Sequence, residues 1–138
     1  MQGGDQHSSR PKLTGRRLLS VGLSVRPVDA DSSKTMSLVE GGEHLVGSAA
    51  EACAGGDAVI LSLNPADIVR CAVFGPDEIA SGANTGTLII DMSSIDPVST
   101  RALSEDAAKA GLRWLDCPLS GGVPRVATGD LALFAGGL

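Results

Sequence analysis

Residues 115–122 read Leu-Asp-Cys-Pro-Leu-Ser-Gly-Gly, and the fold of the chain is best inferred from this stretch. It continues a short, mainly apolar run that begins at Leu112, so it predicts a strand that ends in an acidic residue and is followed by a bend. Such a bend leaves a hydroxyl and several backbone N–H groups at the carboxyl end of a strand, where open α/β sheets bind ligands. We therefore expect the chemistry of the chain to gather around Ser120. In the alternative, Asp116 caps a turn and the Ser-Gly-Gly sequence only ends a loop.

The composition is typical of a globular domain. The chain has 138 residues, of which 43% are hydrophobic and 20% charged. No apolar run approaches the roughly 20 residues that cross a bilayer, so we expect no membrane association. The net charge of -5 and the 2% aromatic content argue against nucleic acid as a partner, because nucleic-acid-binding proteins carry basic stripes and stacking rings. The three cysteines form no C-x-x-C pair, which argues against a disulfide framework or a structural metal site.

The N-terminal residues differ in composition from the rest. Residues 1–12 are polar and contain Gly-Gly and Ser-Ser pairs, so we expect a disordered leader followed by a domain over residues 13–138. The absence of an apolar signal core favours a cytoplasmic protein. A cluster of basic residues around Arg10 and Arg16 leaves a mitochondrial transit segment as the alternative.

Apolar runs that predict strands alternate along the chain with segments that predict helices. The predicted strands cover residues 23–28, 57–63, 87–92, 112–115 and 131–135. The predicted helices cover residues 32–40, 65–74 and 97–110, with a shorter one that begins after residue 48. This alternation predicts an α/β fold with a doubly wound, mostly parallel sheet and helices on both faces. The run at 57–63 is typical of a strand that is buried on both faces.

Polar residues mark where three of these helices begin. Ser48 opens a capping box. Asn64 is predicted to cap the next helix with Pro65 in its first position, and Asp96 with Pro97 repeats this arrangement. At Asn64 a strand leads directly into a helix, which leaves N–H groups able to meet a phosphate or a ribose.

Three segments resemble successive motifs of one enzyme family. Residues 91–97 read Asp-Met-Ser-Ser-Ile-Asp-Pro, residues 115–123 read Leu-Asp-Cys-Pro-Leu-Ser-Gly-Gly-Val, and residues 129–137 read Gly-Asp-Leu-Ala-Leu-Phe-Ala-Gly-Gly. In this order they resemble the β-hydroxyacid dehydrogenase family, which includes 3-hydroxyisobutyrate dehydrogenase and is related to 6-phosphogluconate dehydrogenase. The resemblance extends from about residue 17 to the end of the chain. It implies a Rossmann-like fold, NAD or NADP as the cofactor and a small hydroxy acid as the substrate.

The resemblance implies that the Ser-Gly-Gly bend contacts the substrate. Ser120, Gly121 and Gly122 match positions that bind the substrate carboxylate or hydroxyl in that family. The chemistry agrees, because a hydroxyl beside two backbone N–H groups makes a small anion-binding nest.

Two further segments match cofactor contacts of the family. The turn of Leu63, Asn64 and Pro65 matches a loop that lies along the dinucleotide, and Ser94 matches a position near the nicotinamide ribose. Both assignments have an alternative. Asn64 can act as a plain helix cap, and Ser94 with its neighbour Ser93 can be a loop residue that bonds its own backbone.

Asp29 bears on the choice between the two cofactors. An acidic side chain at the end of the second Rossmann strand accepts hydrogen bonds from the adenosine ribose and repels a 2'-phosphate. The resemblance places Asp29 at this position, which favours NAD over NADP. In the alternative, Asp29 only ends a strand.

The chain departs from the family pattern at both ends. No G-x-G-x-x-G follows an apolar strand near the N-terminus, and no lysine matches the catalytic lysine of the family. We therefore expect an incomplete sheet that lacks the first strand with its glycine-rich loop, no C-terminal helical domain, and no catalytic residue in this chain.

Two hypotheses of function follow. In the first, the parent protein is an NAD(P)-dependent oxidoreductase of the 3-hydroxyacid dehydrogenase type. It transfers hydride between the nicotinamide and a small 3-hydroxy acid or its semialdehyde, it is a homo-oligomer, and this chain is inactive alone. In the second, the chain is a non-catalytic fragment or degenerate copy that binds a nucleotide or a partner protein.

Overall fold

The computed structural model describes residues 22–26, 28, 47–120, 132–133 and 136–137. The chain divides into two units, one made of Gly47–Leu119 and Leu133–Leu138 and the other of Met1–Val46 and Ser120–Ala132. The first unit contains most of the described residues. The predicted leader, Asp29, Gly121 and Gly122 lie outside the described residues.

Short helices and strands alternate through the first unit. In chain order the elements are α1 (Ala49–Cys53), β1 (Ala58–Leu61), α2 (Ala66–Phe74), α3 (Ile79–Gly82), β2 (Leu88–Asp91), α4 (Pro97–Lys109), β3 (Arg113–Asp116), β4 (Leu119–Ser120), β5 (Ala132–Leu133) and β6 (Gly136–Gly137). The alternation predicted between residues 48 and 116 is confirmed, although β1 and β2 are shorter than the apolar runs that contain them.

Strands β1, β2 and β3 form a parallel sheet. Its strand order is β1-β2-β3-β6, and β6 pairs with β3 in the antiparallel direction. The register places Leu61 opposite Asp91 and Asp91 opposite Asp116, so the three parallel strands end level with one another. The predicted Rossmann-like fold with a mostly parallel sheet is therefore confirmed.

The last predicted strand, over residues 131–135, is described only at Ala132–Leu133, which form β5 and pair with β4. Gly136–Gly137, which the apolar pattern does not predict as a strand, form β6 and pair with β3. A strand depends on backbone hydrogen bonds to a neighbour more than on its own residue types. Two glycines therefore form a strand where β3 lies beside them.

One face of the sheet carries the hydrophobic core. Because side chains alternate along a strand, Leu61, Ile89 and Trp114 point to this face, and all three are buried. The helices contribute buried apolar residues to the same core: Val69, Val73, Ile79, Leu103 and Ala107. Burying a side chain of this size stabilises a fold by about 1.5–3 kcal/mol relative to exposing it.

The prediction that the first of these strands is buried on both faces is wrong. In β1, Leu61 is 6% exposed whereas Ile60, on the opposite face, is 41% exposed. β1 is the edge strand of the described sheet, and the helices of the unit pack on the Leu61 face. A continuous apolar run does not distinguish this arrangement from burial on both sides.

The first and third predicted helix starts are confirmed. Ser48 Oγ accepts a hydrogen bond of 3.1 Å from the Glu51 N–H at the start of α1. Asp96 caps α4, since its Oδ1 accepts a hydrogen bond of 2.8 Å from the Ser99 N–H, and Pro97 is the first helical residue.

The predicted cap of α2 is wrong. Pro65, not Asn64, is the residue that precedes the helix, and α2 begins at Ala66. Pro65 has an extended ψ of -170°, so it cannot be the first helical residue, and no side-chain hydrogen bond caps this end. The peptide bond between Asn64 and Pro65 is cis.

The strand predicted over residues 23–28 does not form in the described residues 22–26 and 28. Leu23 is 54% exposed and Val28 is 48% exposed, so little apolar burial stabilises this segment. Pro27 has no N–H to donate to a neighbouring strand, which disfavours a ladder at this position. The apolar pattern alone is therefore misleading here.

Gly82 generates a prediction about the packing of α3 on α1. A methyl group at Gly82 would overlap the backbone carbonyl of Ala50, which is not free to turn away. We expect Gly82→Ala to lower the free energy of unfolding by about 1–3 kcal/mol, measured by urea denaturation. The control is Gly47→Ala, where a methyl group meets only the flexible end of the Glu51 side chain at 3.2 Å. Equal losses from the two variants would contradict the packing described here.

Candidate functional site

The carboxyl ends of β1, β2 and β3 lie at one edge of the sheet. The pairing of Leu61, Asp91 and Asp116 brings the residues that follow each strand to this edge. Two backbone hydrogen bonds extend the pairing past the strand ends, from the Met92 N–H to the Leu61 carbonyl and from the Cys117 N–H to the Asp91 carbonyl, each 2.8 Å long. Ligands of open α/β sheets bind at this edge.

Asp91 is a fully buried carboxyl at the end of the central parallel strand. It is 0% exposed, and its Oδ1 accepts a hydrogen bond of 3.0 Å from the Ser93 N–H. A carboxyl that bonds the N–H two residues ahead makes an Asx turn, which sets the direction of the chain as it leaves β2. Asp91 Oδ2 has no hydrogen-bond partner within the described part of the chain.

Ser93 joins the end of β2 to the turn that follows β1. Its Oγ accepts a hydrogen bond of 2.9 Å from the Leu63 N–H, and its hydroxyl also bonds the Asp91 carboxyl. Ser93 is buried, and the Leu63 side chain packs against the hydrophobic core. Residues 63–65, called the 63–65 turn below, are therefore held to β2 by a side chain rather than by the sheet ladder.

Burial dominates the electrostatics of this edge, and none of the pKa shifts there has a described cation among its causes. Burial raises the pKa of Asp91, and the hydrogen bonds from Ser93 oppose this rise in part. Burial, followed by the charge of Asp91, raises the pKa of Asp116. Burial and the charge of Asp116 raise the pKa of the Cys117 thiol. Ionising any of these groups is therefore harder than in water.

Two cations of the described helices, Arg70 and Lys109, pair with Asp106. Arg70 Nη1 lies 2.7 Å from Asp106 Oδ2, and Lys109 Nζ lies 3.5 Å from Asp106 Oδ1, both at the exposed surface. The Arg70 and Lys109 partners lower the pKa of Asp106. Lys109 lies in the last turn of α4, where its charge favours the helix dipole.

The two helices that begin near this edge differ at their N-termini. In α4, the Asp96 carboxyl bonds the N–H and the hydroxyl of Ser99, and these bonds lower the pKa of Asp96. In α2 no side-chain hydrogen bond caps the start, and the Asp67 carboxyl lies in the first turn. The N–H groups at the start of α2 can therefore donate to a polar ligand, while Asp67 disfavours a second anion there.

The predicted cofactor residues Leu63, Asn64, Pro65 and Ser94 all lie at this edge of the first unit. Asn64, Pro65 and Ser94 are exposed, whereas Leu63 is half-buried. The Leu63–Ser93 hydrogen bond brings the two predicted segments together, since Ser94 directly follows Ser93. These positions agree with the predicted contacts, which stay predictions.

The predicted substrate residues are described only in part. Ser120 lies in β4, and its side chain is outside what is described, as are Gly121 and Gly122. Asp29, Lys12 and Lys34 are also outside the described residues. The substrate role of the Ser-Gly-Gly bend therefore stays a prediction.

Sequence reasoning missed the roles of Asp91, Ser93 and Asp116. Asp91 and Asp116 each end a run of apolar residues, and aligning the ends of two successive parallel strands would have placed them side by side. Ser93 carried no signal of its own, because its partner Leu63 is 30 residues away in the sequence.

Two other kinds of site are not found in the described part of the chain. Within residues 22–26, 28 and 47–120, no three His, Cys, Asp or Glu side chains come together in a way that could hold a metal ion. Among the helices described, none is both long and apolar enough to span a membrane.

The link between Ser93 and Leu63 can be tested by mutation. We expect Ser93→Ala to lower the free energy of unfolding by about 1–3 kcal/mol, because it removes the acceptor of a part-buried N–H and a hydrogen bond to the buried Asp91. Urea denaturation measures the change. The matched control is Ser81→Ala, which removes an exposed hydroxyl whose hydrogen bond of 2.7 Å to the Glu78 carbonyl stays within one helical turn. No difference between the two variants would argue against the link.

A comparison with protein families matches this chain over almost its whole length. The family described as "NAD binding domain of 6-phosphogluconate dehydrogenase" matches residues 13–138.

Individual relatives are hydroxy-acid dehydrogenases by name. The chain is 35% identical over 120 residues to 3-hydroxyisobutyrate dehydrogenase of Pseudomonas aeruginosa, covering 87% of this chain and 40% of the relative. It is 32% identical over 119 residues to 2-(hydroxymethyl)glutarate dehydrogenase of Eubacterium barkeri, covering 86% of this chain and 40% of the relative. Among solved structures, 3-hydroxyisobutyrate dehydrogenase of Mycobacterium tuberculosis with L-serine is 30% identical to this chain, with a TM-score of 0.86. The match covers 97% of this chain and 44% of that structure's chain. The chain thus spans less than half the length of these relatives.

Proposed function

Because this chain belongs to the family of the NAD-binding domain of 6-phosphogluconate dehydrogenase, we propose that it forms the dinucleotide-binding part of an NAD(P)-dependent oxidoreductase. In this proposal the whole enzyme transfers hydride between the nicotinamide and the hydroxyl-bearing carbon of a small 3-hydroxy acid or its semialdehyde. Two relatives that are 32% and 35% identical to the chain are named for small hydroxy acids. The cytoplasmic location and the homo-oligomeric state of the enzyme stay predictions.

The observation that carries the proposal is the hydrogen bond between Leu63 and Ser93. It places the 63–65 turn beside Ser94 at the carboxyl ends of β1 and β2, and a ligand at this edge would meet both segments. The N–H groups at the start of α2 follow directly after the turn and are not capped by a side chain. Polar groups therefore converge from two strand ends on one place.

The residues at this edge fit the ribose parts of a dinucleotide better than its phosphates. The amide of Asn64 and the hydroxyl of Ser94 are exposed and neutral, and both can donate and accept hydrogen bonds with ribose hydroxyls. Asp67 in the first turn of α2 would repel a phosphate. The bound cofactor would supply the nicotinamide that accepts or donates the hydride.

The proposal places the substrate at the Ser-Gly-Gly bend. The hydroxyl of Ser120 and the N–H groups of Gly121 and Gly122 would hold the substrate carboxylate, as an anion-binding nest does. The proposal assigns no acid or base to this chain.

Nucleotide binding tests the proposal directly. Titration of the full chain with NADH, followed by the fluorescence of the nicotinamide, should give a saturable signal. We expect Asn64→Ala to weaken the affinity about five- to tenfold, the loss of one or two hydrogen bonds. The control is Asn84→Ala, an exposed amide that precedes β2 at the opposite end of the strand.

Two results of that titration would count against the proposal. A chain that gives no saturable signal with either NADH or NADPH is not a dinucleotide-binding module, and the partner-binding hypothesis would replace the proposal. Equal losses in both asparagine variants would move the binding site away from the 63–65 turn.

The choice of cofactor is a separate prediction that depends on Asp29. We expect NADH to bind more tightly than NADPH, because the Asp29 carboxylate accepts a hydrogen bond from the ribose and repels a 2'-phosphate. Asp29→Asn should narrow the difference in affinity between NADH and NADPH, because it weakens the repulsion of the 2'-phosphate. Titrations of the unaltered chain and of the variant with each nucleotide measure this difference. Tighter binding of NADPH by the unaltered chain would contradict this role of Asp29.

A further inference from the structure

Asp91 and Asp116 form a pair of carboxyls that the proposed function does not use. They are register partners on neighbouring parallel strands, so their side chains project from the same face of the sheet. Neighbouring strands lie about 4.8 Å apart, which is within the reach of two aspartate side chains toward each other. Two negative charges at this spacing repel strongly where water is scarce.

Neither carboxyl has a cation to balance it among the described residues. The ion pairs of this part of the chain both use Asp106. No hydrogen bond is among the causes that shift the pKa of Asp116, and Asp91 Oδ2 is buried without a partner in the described part of the chain. Only Asp91 Oδ1 is satisfied, by Ser93. One oxygen of the buried carboxyl therefore lacks a donor, and the group opposite it in the sheet is also an acid.

We propose that Asp91 and Asp116 hold one proton between them, and that this pair positions the 63–65 turn through Ser93. The proton resides on Asp116, which is half-buried, and is donated in a hydrogen bond to Oδ2 of Asp91. On ionisation the O–H bond of Asp116 breaks and the proton passes to water. Asp91 is then a positioning residue, since it acts on the turn only through the Ser93 hydroxyl.

A shared proton resolves both problems of the site. It removes one of the two charges, and it supplies the donor that Asp91 Oδ2 lacks. The pKa values of both carboxyls lie above their usual range, with burial as the main cause and the Asp91 charge as the second cause at Asp116. Two carboxyls that share a site titrate as a pair, in two steps that are pushed apart.

The other groups around the pair do not supply the missing charge. Cys117 follows Asp116 directly, and burial is the main cause that raises the pKa of its thiol. On α2 and α4, the described charged residues are surface groups: Asp67, Arg70, Arg101, Glu105, Asp106 and Lys109. β1 contributes the apolar Leu61 beside Asp91.

The pair is connected to the turn by a short chain of hydrogen bonds. Asp91 binds the N–H and the hydroxyl of Ser93, and Ser93 Oγ receives the Leu63 N–H. When Asp116 loses its proton, repulsion acts on Asp91, which is fully buried and cannot turn to solvent. The strain passes to Ser93 and so to Leu63. None of these steps needs a bound nucleotide, so the test remains decisive if the proposed function fails.

The experiment is a carboxyl titration by NMR of the full chain carrying ¹³C-labelled aspartate, without nucleotide. We expect Asp91 and Asp116 to titrate in two steps at least about tenfold apart in proton concentration, the upper one above the ordinary aspartate value of about 3.9. The amide signal of Leu63 should move with the upper step. Independent titration of Asp91 and Asp116 near the ordinary aspartate value would overturn the proposal. A Leu63 amide signal that does not move over the upper step would overturn it as well.

Variants separate the pair from a purely structural role. Asp116→Asn removes the repulsion and places an amide donor beside Asp91, so the remaining carboxyl should titrate in one step below the former upper step. The pH dependence of the Leu63 amide over the former upper step should disappear. The control is Asp57→Asn, since Asp57 is exposed and lies just before β1 at the opposite end of the sheet. This variant should leave the upper step and the pH dependence of the Leu63 amide unchanged. Survival of the upper step in Asp116→Asn would overturn the shared proton.

The positioning role is tested by rescue. Asp91→Asn keeps an oxygen for Ser93 and places an amide N–H where the shared proton lies, so the Leu63 amide should retain its protection from hydrogen exchange. Asp91→Ala should reduce that protection about tenfold or more. Equal protection in the two variants would refute the positioning role. If Asp91→Ala does not fold, the protection of the Leu63 amide is compared between Asp91→Asn and the unaltered chain at high and low pH. Only the unaltered chain should lose protection as the pH rises, and an equal loss in Asp91→Asn would refute the positioning role.

Discussion

The hydrogen bond from the Leu63 N–H to the Ser93 hydroxyl is the interaction on which the candidate site depends. The sheet ladder ends with β1 and β2, and beyond that point the Ser93 side chain links the 63–65 turn to the segment that follows β2. It is effective because Ser93 is itself held by the Asp91 carboxyl, which binds both its N–H and its hydroxyl. Asp91 therefore shapes a turn that it does not touch.

A buried carboxyl is a costly way to hold a turn. An apolar residue at the end of β2 would avoid the loss of hydration, but it could not accept hydrogen bonds from Ser93. The cost is limited by the hydrogen bonds that Asp91 receives, and the neighbouring carboxyl of Asp116 makes its charge state depend on both groups. Neutral and ionised forms of the same side chain can therefore hold the turn with different strength, which an apolar or amide residue could not do.

The two helices that begin at this edge follow similar strand-to-helix junctions but differ in how their N-termini are capped. Each follows a parallel strand and has a proline at or just before its start, yet the Asp96 carboxyl occupies the N-terminus of α4 while no side chain caps α2. A ligand at α4 would have to displace a charged cap that also bonds the Ser99 hydroxyl. The start of α2 is therefore the more available of the two, in keeping with a family described as an NAD-binding domain.

The sequence by itself determined the alternation of strands and helices, the start of α4 at Asp96 and Pro97, and the segments that carry the family resemblance. These features depend on residues within a few positions of one another, such as the apolar run of β2 or a carboxyl three residues from the N–H it caps. It did not determine that Pro65 rather than Asn64 precedes α2, that Gly136–Gly137 forms a strand, or that Asp91 lies level with Asp116. Those outcomes depend on which strands are neighbours and in which register they pair. A shift of one residue would turn Asp91 to the opposite face and would also take Ile89 out of the core, so contacts between distant segments fix the register.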